Sequence, residues 1–384
     1  MAGGQGGAMT VRTVGVEEEL LLVEPGTGQP LAVAGTVLEA VRRAAADPGP
    51  GRSAGPGPAA EALGFELQLQ QLETNTRPCR GLDDLGRELR RCRAAAAEAA
   101  ARAGVRVAAL ATSPVPVEPE LVGKSRYLEM ARAFGLTAYE QLTCGCHVHV
   151  GVASDGEGVA ALDRAGPWLA VLLALSANSP FWQGRDSAYA SFRYQVQGRW
   201  PSAGPTDVFG SAEAYRETVA QMVSTRTLLD TGMVYFDARL SQRYPTLEIR
   251  IADVCLRADD AVLIAALARA LVETEARAWR QQTAPLARRS ELLRLAAWRA
   301  SRSGLDDVLL SPLTGLPEPA AAVADTLLGH VSDALAEAGD TATVRELLAA
   351  LLARGNGAAF QRNTYRQSQD LSQVIQSATT ATMH

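Results

Sequence analysis

Residues Thr13 to Pro25 read TVGVEEELLLVEP, and the fold turns on how that stretch is taken. Val14, Val16 and Leu20 to Val23 give it the β-branched and apolar content of a buried strand, closed by the turn Pro25-Gly26-Thr27-Gly28. Three glutamates interrupt it. Side chains alternate across a strand, so Glu17 and Glu19 share one face and Glu18 takes the other. Two carboxylates about 7 Å apart on one buried face repel each other. Burying such charge without a partner costs several kcal/mol or neutralises the group. A divalent metal, Arg or Lys would relieve the pair. A half-exposed edge strand with solvated glutamates is the plainer alternative, and this segment alone does not choose.

The 384 residues are 47% hydrophobic and 21% charged, an ordinary globular composition with length for one large domain or two smaller ones. A net charge of −5 offers nucleic acid no bulk attraction. Positive charge is nearly all Arg, and Lys124 is the single lysine. Cys79, Cys92, Cys144, Cys146 and Cys255 are odd in number and scattered, which argues against a disulfide framework and for a reducing, cytoplasmic setting. The start, MAGGQGGAMTVRT, has no apolar core of signal-peptide length, and runs such as Leu169 to Ala177 are too short for a bilayer, so no membrane partner is expected.

Working outward, residues 1–11 read as a Gly-rich disordered tail and 12–384 as one domain, with 284–384 a helical C-terminal extension. Asp47 to Pro58 reads as a flexible loop. Helices are expected over 35–46, 82–103, 127–134, 163–177, 212–224 and 259–281, then over 286–303, 319–338, 341–354 and 368–379. Glu66 to Thr76, ELQLQQLETNT, alternates as a strand with Phe65, Leu67 and Leu69 on one face. Glu66 and Glu73 then have opposite parity, so both reach one site only if a bulge intervenes. The neighbours 234–240 and 246–254 read as a hairpin, hence a largely antiparallel sheet and an α+β fold rather than a doubly wound one.

Two more strands carry chemistry. In TCGCHVHVGV, Thr143 to Val152, His147 and His149 leave one face while Cys144 and Cys146 leave the other. That parity decides against a zinc site drawn from all four, since tetrahedral ligation needs convergent side chains. Taken alone, a His pair on a strand is more often hydrogen-bonded core than ligand. Thr246 to Asp253 puts Glu248 and Arg250 on one face, and Arg239 lies on another strand end. A surface ion pair and a metal ligand beside a phosphate clamp both fit that pattern. The stretch 178–205, with Trp182, Tyr189, Arg193 and Trp200, is a candidate lid or substrate wall, or else a surface Ω-loop held by aromatic packing. A sheet gathering acids, His and Arg on one side suits a hard divalent cation with polyphosphate, best matched by Mg²⁺. No GxxxxGK[ST] loop occurs, no GxGxxG opens a helix after a strand, and no GxSxG is present. Any bound ATP must therefore be held by metal and Arg.

In this order, VGVEEELLLV, QLETNT, TCGCHVHVGV, ALSANSPFW and PTLEIRIADV resemble the YbdK-type carboxylate–amine ligases of the glutamate–cysteine ligase type 2 family, relatives of glutamine synthetase. The likeness runs from about Val11 to Val272 and more loosely to Arg362. It implies an α+β fold with a bent, mostly antiparallel sheet of the glutamine synthetase-like kind, helices on its convex face, a helical C-terminal third, and ATP with Mg²⁺ on the concave face. By the same likeness Glu17, Glu19, Glu73, Glu248 and His147 are expected as metal ligands, and His147, His149 and Arg250 as nucleotide contacts. Arg250 is expected at the γ-phosphate and Arg239 on substrate carboxylate or phosphate, as the catalytic pair. Glu66 stands where more distant ligases have a metal-site acid, against its strand parity. The implied reaction joins the γ-carboxylate of glutamate, activated by ATP as an acyl phosphate, to an amine such as cysteine. Kinship also implies a homodimer. The alternatives are a ligase of the same mechanism with another acid or amine, and a nucleotide- or amino-acid-binding protein without turnover. A metal-dependent hydrolase fits less well, because two Arg beside the acids suit phosphate better than a polarised water.

Overall fold

The strand at the centre of the sheet is β1 (Val14–Val23), in a computed structural model that describes residues 11–46, 63–286 and 288–384. Residues 1–10 of the expected tail and the expected loop 47–58 lie outside the described residues. In chain order follow β2 (Leu63–Phe65), β3 (Gln71–Asn75), β4 (Arg106–Ala108), β5 (Cys146–Gly151), β6 (Phe181–Trp182), β7 (Arg185–Asp186), β8 (Ala238–Leu240), β9 (Thr246–Ile249), β10 (Val308–Leu310) and β11 (Pro317–Pro319). Seven of them form one sheet in the order β2-β3-β1-β5-β9-β8, with β4 pairing β1 off that path. Every pairing in it is antiparallel. The α+β class and the antiparallel sheet are as expected.

One edge of β1 is shared. β5 takes Val14 to Glu18 and β4 takes Leu21 to Val23. Between them the Glu19 amide donates to the Gly145 carbonyl at 3.1 Å. One face of the sheet is apolar. Val16, Val148, Val150, Leu247 and Ile249 are buried in one core with side chains from the helices Leu82–Arg102, Asp155–Ser176 and Ala258–Arg280. Each such side chain contributes roughly 1.5–3 kcal/mol by leaving water.

Glu18 points into this helical side, fully buried, and meets Arg93 in a two-pronged pair at 2.6 and 2.9 Å. Arg93 also donates to the carbonyls of Cys255, Leu256 and Thr382. Coulomb attraction and a full set of acceptors compensate a charge that burial alone would make costly. All five cysteines are buried and free.

Several elements differ from the sequence expectation. Glu66 to Thr76 is not one strand: β2 ends at Phe65, the chain turns, and β3 returns antiparallel, with Phe65 opposite Leu72. The alternation simply continues through the turn, where it no longer reports on one face. The expected helix 163–177 begins two turns earlier. Ser154 caps it by accepting from the Glu157 amide at 3.1 Å, with Asp155 and Glu157 in the first turn. The 22-residue helix is thus long and apolar enough to cross a membrane by those measures, but 89% of its apolar window is buried within the fold. The segment 319–338 is two helices, Ala320–His330 and Ser332–Ala338, preceded by the unanticipated β10–β11 ribbon. The expected helix 368–379 is Leu371–Thr382, and a further helix that the sequence reading did not place, Gly357–Ser368, precedes it.

The stretch 178–205 is neither a surface loop nor a detached flap. The buried Asp253 carboxylate accepts from the Asn178 amide and from the Ser179 and Ser191 hydroxyls, each at 2.8 Å. The Asn178 side chain donates to the carbonyls of Ala109 and Val254. These bonds clamp the short helix Phe192–Gln197 against the end of the sheet.

Candidate active site

Register assembles the polar face. Glu73 of β3 lies opposite Glu19 of β1, and Glu17 lies opposite His147 of β5. His149 lies opposite Glu248 of β9, and Glu248 opposite Arg239 of β8. Five strands thus place their polar side chains in adjacent rows on the face away from the helices. All eight side chains named from the sequence, Glu17, Glu19, Glu73, His147, His149, Arg239, Glu248 and Arg250, line one cavity of about 590 Å³. That is ample for a small-molecule site.

Glu66 lines it too. The parity objection fails because the chain reverses between Glu66 and Glu73. Burial, Glu19 and Glu73 push the Glu66 carboxyl well above its ordinary range. Burial, then Glu17, raise Glu73 to about 7, against a hydrogen bond from Asn75. Burial acts to raise Glu17 as well, but the imidazoles of His147 and His149 outweigh it and hold Glu17 below the usual carboxylate range. Glu248 is held low against burial by Arg250 and Arg239. His147 is pushed down by burial and by Arg250, which favours its neutral form. The cavity floor therefore carries more carboxylate than its own cations neutralise at one end, and a tight acid–guanidinium knot at the other.

In that knot Arg239 donates Nε to Glu248 Oε2 at 2.8 Å and Nη1 to the Val234 carbonyl at 2.9 Å. Arg250 pairs with the other Glu248 oxygen. His149 Nδ1 is 2.9 Å from Thr246 Oγ1. A proton on Nδ1 leaves the Nε2 lone pair facing the cavity, 3.3 Å from Glu17 Oε1, where two acceptors then meet.

The donor set fits a hard cation. Single donor atoms of Glu17, His149 and Glu248 all lie within 4.8 Å of one another. His147 stands 3.6 Å from Glu17 and 4.0 Å from Glu19. The compact group thus contains His149, which sequence reading assigned to the nucleotide, while His147 sits between the two β1 acids. Carboxylate oxygens in such excess, with an imidazole nitrogen turned toward one of them, are chemistry for a divalent ion.

Arg193 and Trp200, from the stretch expected as a substrate wall, line the cavity together with side chains that sequence reasoning passed over. Gln71, Gln141, Thr143, Arg193 and Gln197 form one wall. Alternation along β3 hinted at Gln71, but Gln141 lies before β5, where no periodicity points anywhere. At the mouth the Lys124 ammonium sits 5.4 Å from the Phe65 ring and 5.2 Å from the Tyr127 ring. Arg126 and Asp230 pair beside it at 2.6 and 2.8 Å.

Residues 13–377 match the model of the family described as glutamate–cysteine ligase family 2. A Streptomyces avermitilis protein, provisionally named glutamate–cysteine ligase 2-1, is 54% identical over 95% of this chain and 98% of its own length. A Streptomyces coelicolor protein with the provisional name glutamate–cysteine ligase 2 is 53% identical over 95% and 97%. Among solved structures, a glutamate–cysteine ligase from Francisella tularensis in complex with AMP superposes with a TM-score of 0.70 at 12% identity, over 98% of this chain and 89% of that one. A bifunctional glutathione synthetase from Pasteurella multocida gives 0.67 at 16%, over 97% and 52%. At those identities the structures speak for the fold alone.

Proposed function

This chain belongs to glutamate–cysteine ligase family 2 and is a carboxylate–amine ligase, and from that premise we propose that it joins glutamate through its γ-carboxylate to an amine in an ATP- and Mg²⁺-dependent reaction. The observation that carries the reading is the cross-strand row of Glu73, Glu19, Glu17, His147, His149, Glu248 and Arg239 facing a single cavity. In the proposed reaction the γ-carboxylate is phosphorylated at the expense of ATP, and the amine then displaces phosphate from the acyl carbon. An amide, ADP and phosphate result.

Glu17, Glu248 and His149 are the residues that would hold the cation most closely, with Glu19, Glu66 and Glu73 adding charge around it. When bound, Mg²⁺ supplies neutralisation of phosphate oxygens. Arg250 and Arg239 present guanidinium groups at the same floor, where charge on a transferring phosphoryl group would collect. Their pairing with Glu248 holds both in place beforehand. The packed helical face behind β1, β5 and β9 closes that side to water, which would otherwise hydrolyse the acyl phosphate.

The test is ADP release with MgATP and glutamate across a panel of amines. Amine-stimulated release, with an amide product of the matching mass, is the expected result. No stimulation by any amine with glutamate, but stimulation with another acid, would reassign the acid substrate. Turnover that persists after the divalent ion is chelated would remove the metal role.

A further inference from the structure

A helix at the surface of a protein is ordinarily polar on its outer side. The helix Ser290–Ser303 is not. It buries Leu293, Ala296, Ala297 and Ala300 against the fold. On its other side Leu292, Leu295 and Trp298 follow one another at intervals of three residues. The β10–β11 ribbon extends this strip. Arg299 Nη1 is 3.8 Å from Asp307, just before β10, and Arg288 Nη2 donates at 2.7 Å to the Leu313 carbonyl in the turn of the ribbon. Helix and β10 therefore run side by side in opposite directions, which brings the turn from Leu313 to Leu316 beside the start of the helix. Leu292, Leu295, Trp298, Leu313 and Leu316 are 42–64% exposed.

By those exposures the strip leaves roughly 500 Å² of apolar side chain uncovered, toward the upper end for a chain alone in water. A stable interface takes about 800 Å² from each partner, and in homodimers about 65% of it is apolar. The strip supplies that apolar share. Its borders are charged and of opposite sign: Arg299 and Arg302 on the helix, Asp306 and Asp307 on the ribbon. A two-fold interface sets a surface against itself, so both signs must lie on one patch. An axis running between helix and ribbon lays each helix on the partner's ribbon, arginines against acids. A partner carrying one sign of charge would be repelled by one border or the other.

We infer that this face is a two-fold interface at which a second copy of the chain docks. The inference stands on the surface and does not depend on the ligase reading. It bears on the site all the same, because the same helix backs the cavity wall. The Ser301 carbonyl accepts from the Ala190 and Ser191 amides, each at 2.9 Å, and Ser301 Oγ accepts from Gln195 Nε2 at 2.8 Å. A docked copy therefore stands behind the segment that carries the helix Phe192–Gln197.

Sedimentation equilibrium of the full chain over a wide concentration range tests this, with folding of each variant checked by melting. The wild type is expected to be a dimer. Leu295→Arg places a charge in the strip of both copies and should weaken association about 100-fold or more. Leu136→Arg, at an exposed leucine on the helix Leu136–Tyr139, should leave the dimer unchanged. Charge reversal identifies the occupant. Arg299→Glu with Arg302→Glu sets acid against acid, and Asp306→Arg with Asp307→Arg sets cation against cation, so each double variant alone should dissociate. Mixed in equal amounts, the two should pair with each other, because every reversed border then meets its complement. A monomeric wild type, a dimer untouched by Leu295→Arg, or reversed variants that do not pair on mixing would each overturn the inference.

Discussion

Glu18 and Glu19 are adjacent, yet the strand sends them to different work. Glu18 is locked to Arg93 behind the sheet, while Glu19 faces Glu73 and Glu66 across the cavity. Glu18→Gln breaks a buried pair and should cost about 3–5 kcal/mol of stability in urea denaturation. Glu19→Gln relieves like-charge repulsion, so its melting temperature should stay level or rise while amine-stimulated ADP release falls by about 100-fold or more. Asp237 offers a pH test. Burial raises its carboxyl to about 7, against a hydrogen bond from Tyr194 and the charges of Arg294 and Arg193. The folded protein then keeps a proton that the unfolded chain releases near pH 4, so stability falls as pH rises from about 4 to about 7. Asp237→Asn removes that loss. Its stability advantage over the wild type should grow across this window to a few kcal/mol, and an advantage that is flat with pH would reject the assignment.

At the scale of elements, what could be read from sequence was whatever repeats along one segment. Val14 to Val23, His147 to Val150 and Leu247 to Arg250 alternate, so their two faces, and the polar residues on one of them, were legible. Register between strands was not, because it is set by partners far away; the pairing of Glu19 with Glu73 needs the reversal after Phe65. That reversal was hidden by its own regular alternation. Arg93 looks like any arginine in an Ala- and Arg-rich helix, and Gln141 like one more polar residue in an irregular stretch, since neither has a periodic neighbour that reveals burial. The helix Asp155–Ser176 starts before the apolar run that marks it in the sequence, because Gly156 and Gly158 in its first turn have low helix propensity. Its capping bond is simple to probe. Ser154→Ala should lower stability by about 1 kcal/mol without altering KM for any substrate, as denaturation and steady-state assays would show.

Across the whole molecule the last residues are wired into the back of the catalytic sheet. Arg93 donates to the Thr382 carbonyl, the Ala109 amide donates to Thr382 Oγ1, and the Ala258 amide donates to the His384 carbonyl. Gln361 binds Asn178 at 2.7 and 2.8 Å. The residues read as a C-terminal extension are thus structurally continuous with the site. We expect one cooperative transition by calorimetry for the full chain, and a variant ending at Gly355 should lose that transition rather than merely shift it. Retention of a sharp, reversible melt by the shortened chain would show that the two parts fold separately. One position has a practical use. Because Lys124 is the sole lysine and stands between Phe65 and Tyr127 at the opening, amine-directed acylation has a single side-chain target in this protein. A dye attached there by ordinary ester coupling would report on traffic through the doorway with no engineered cysteine.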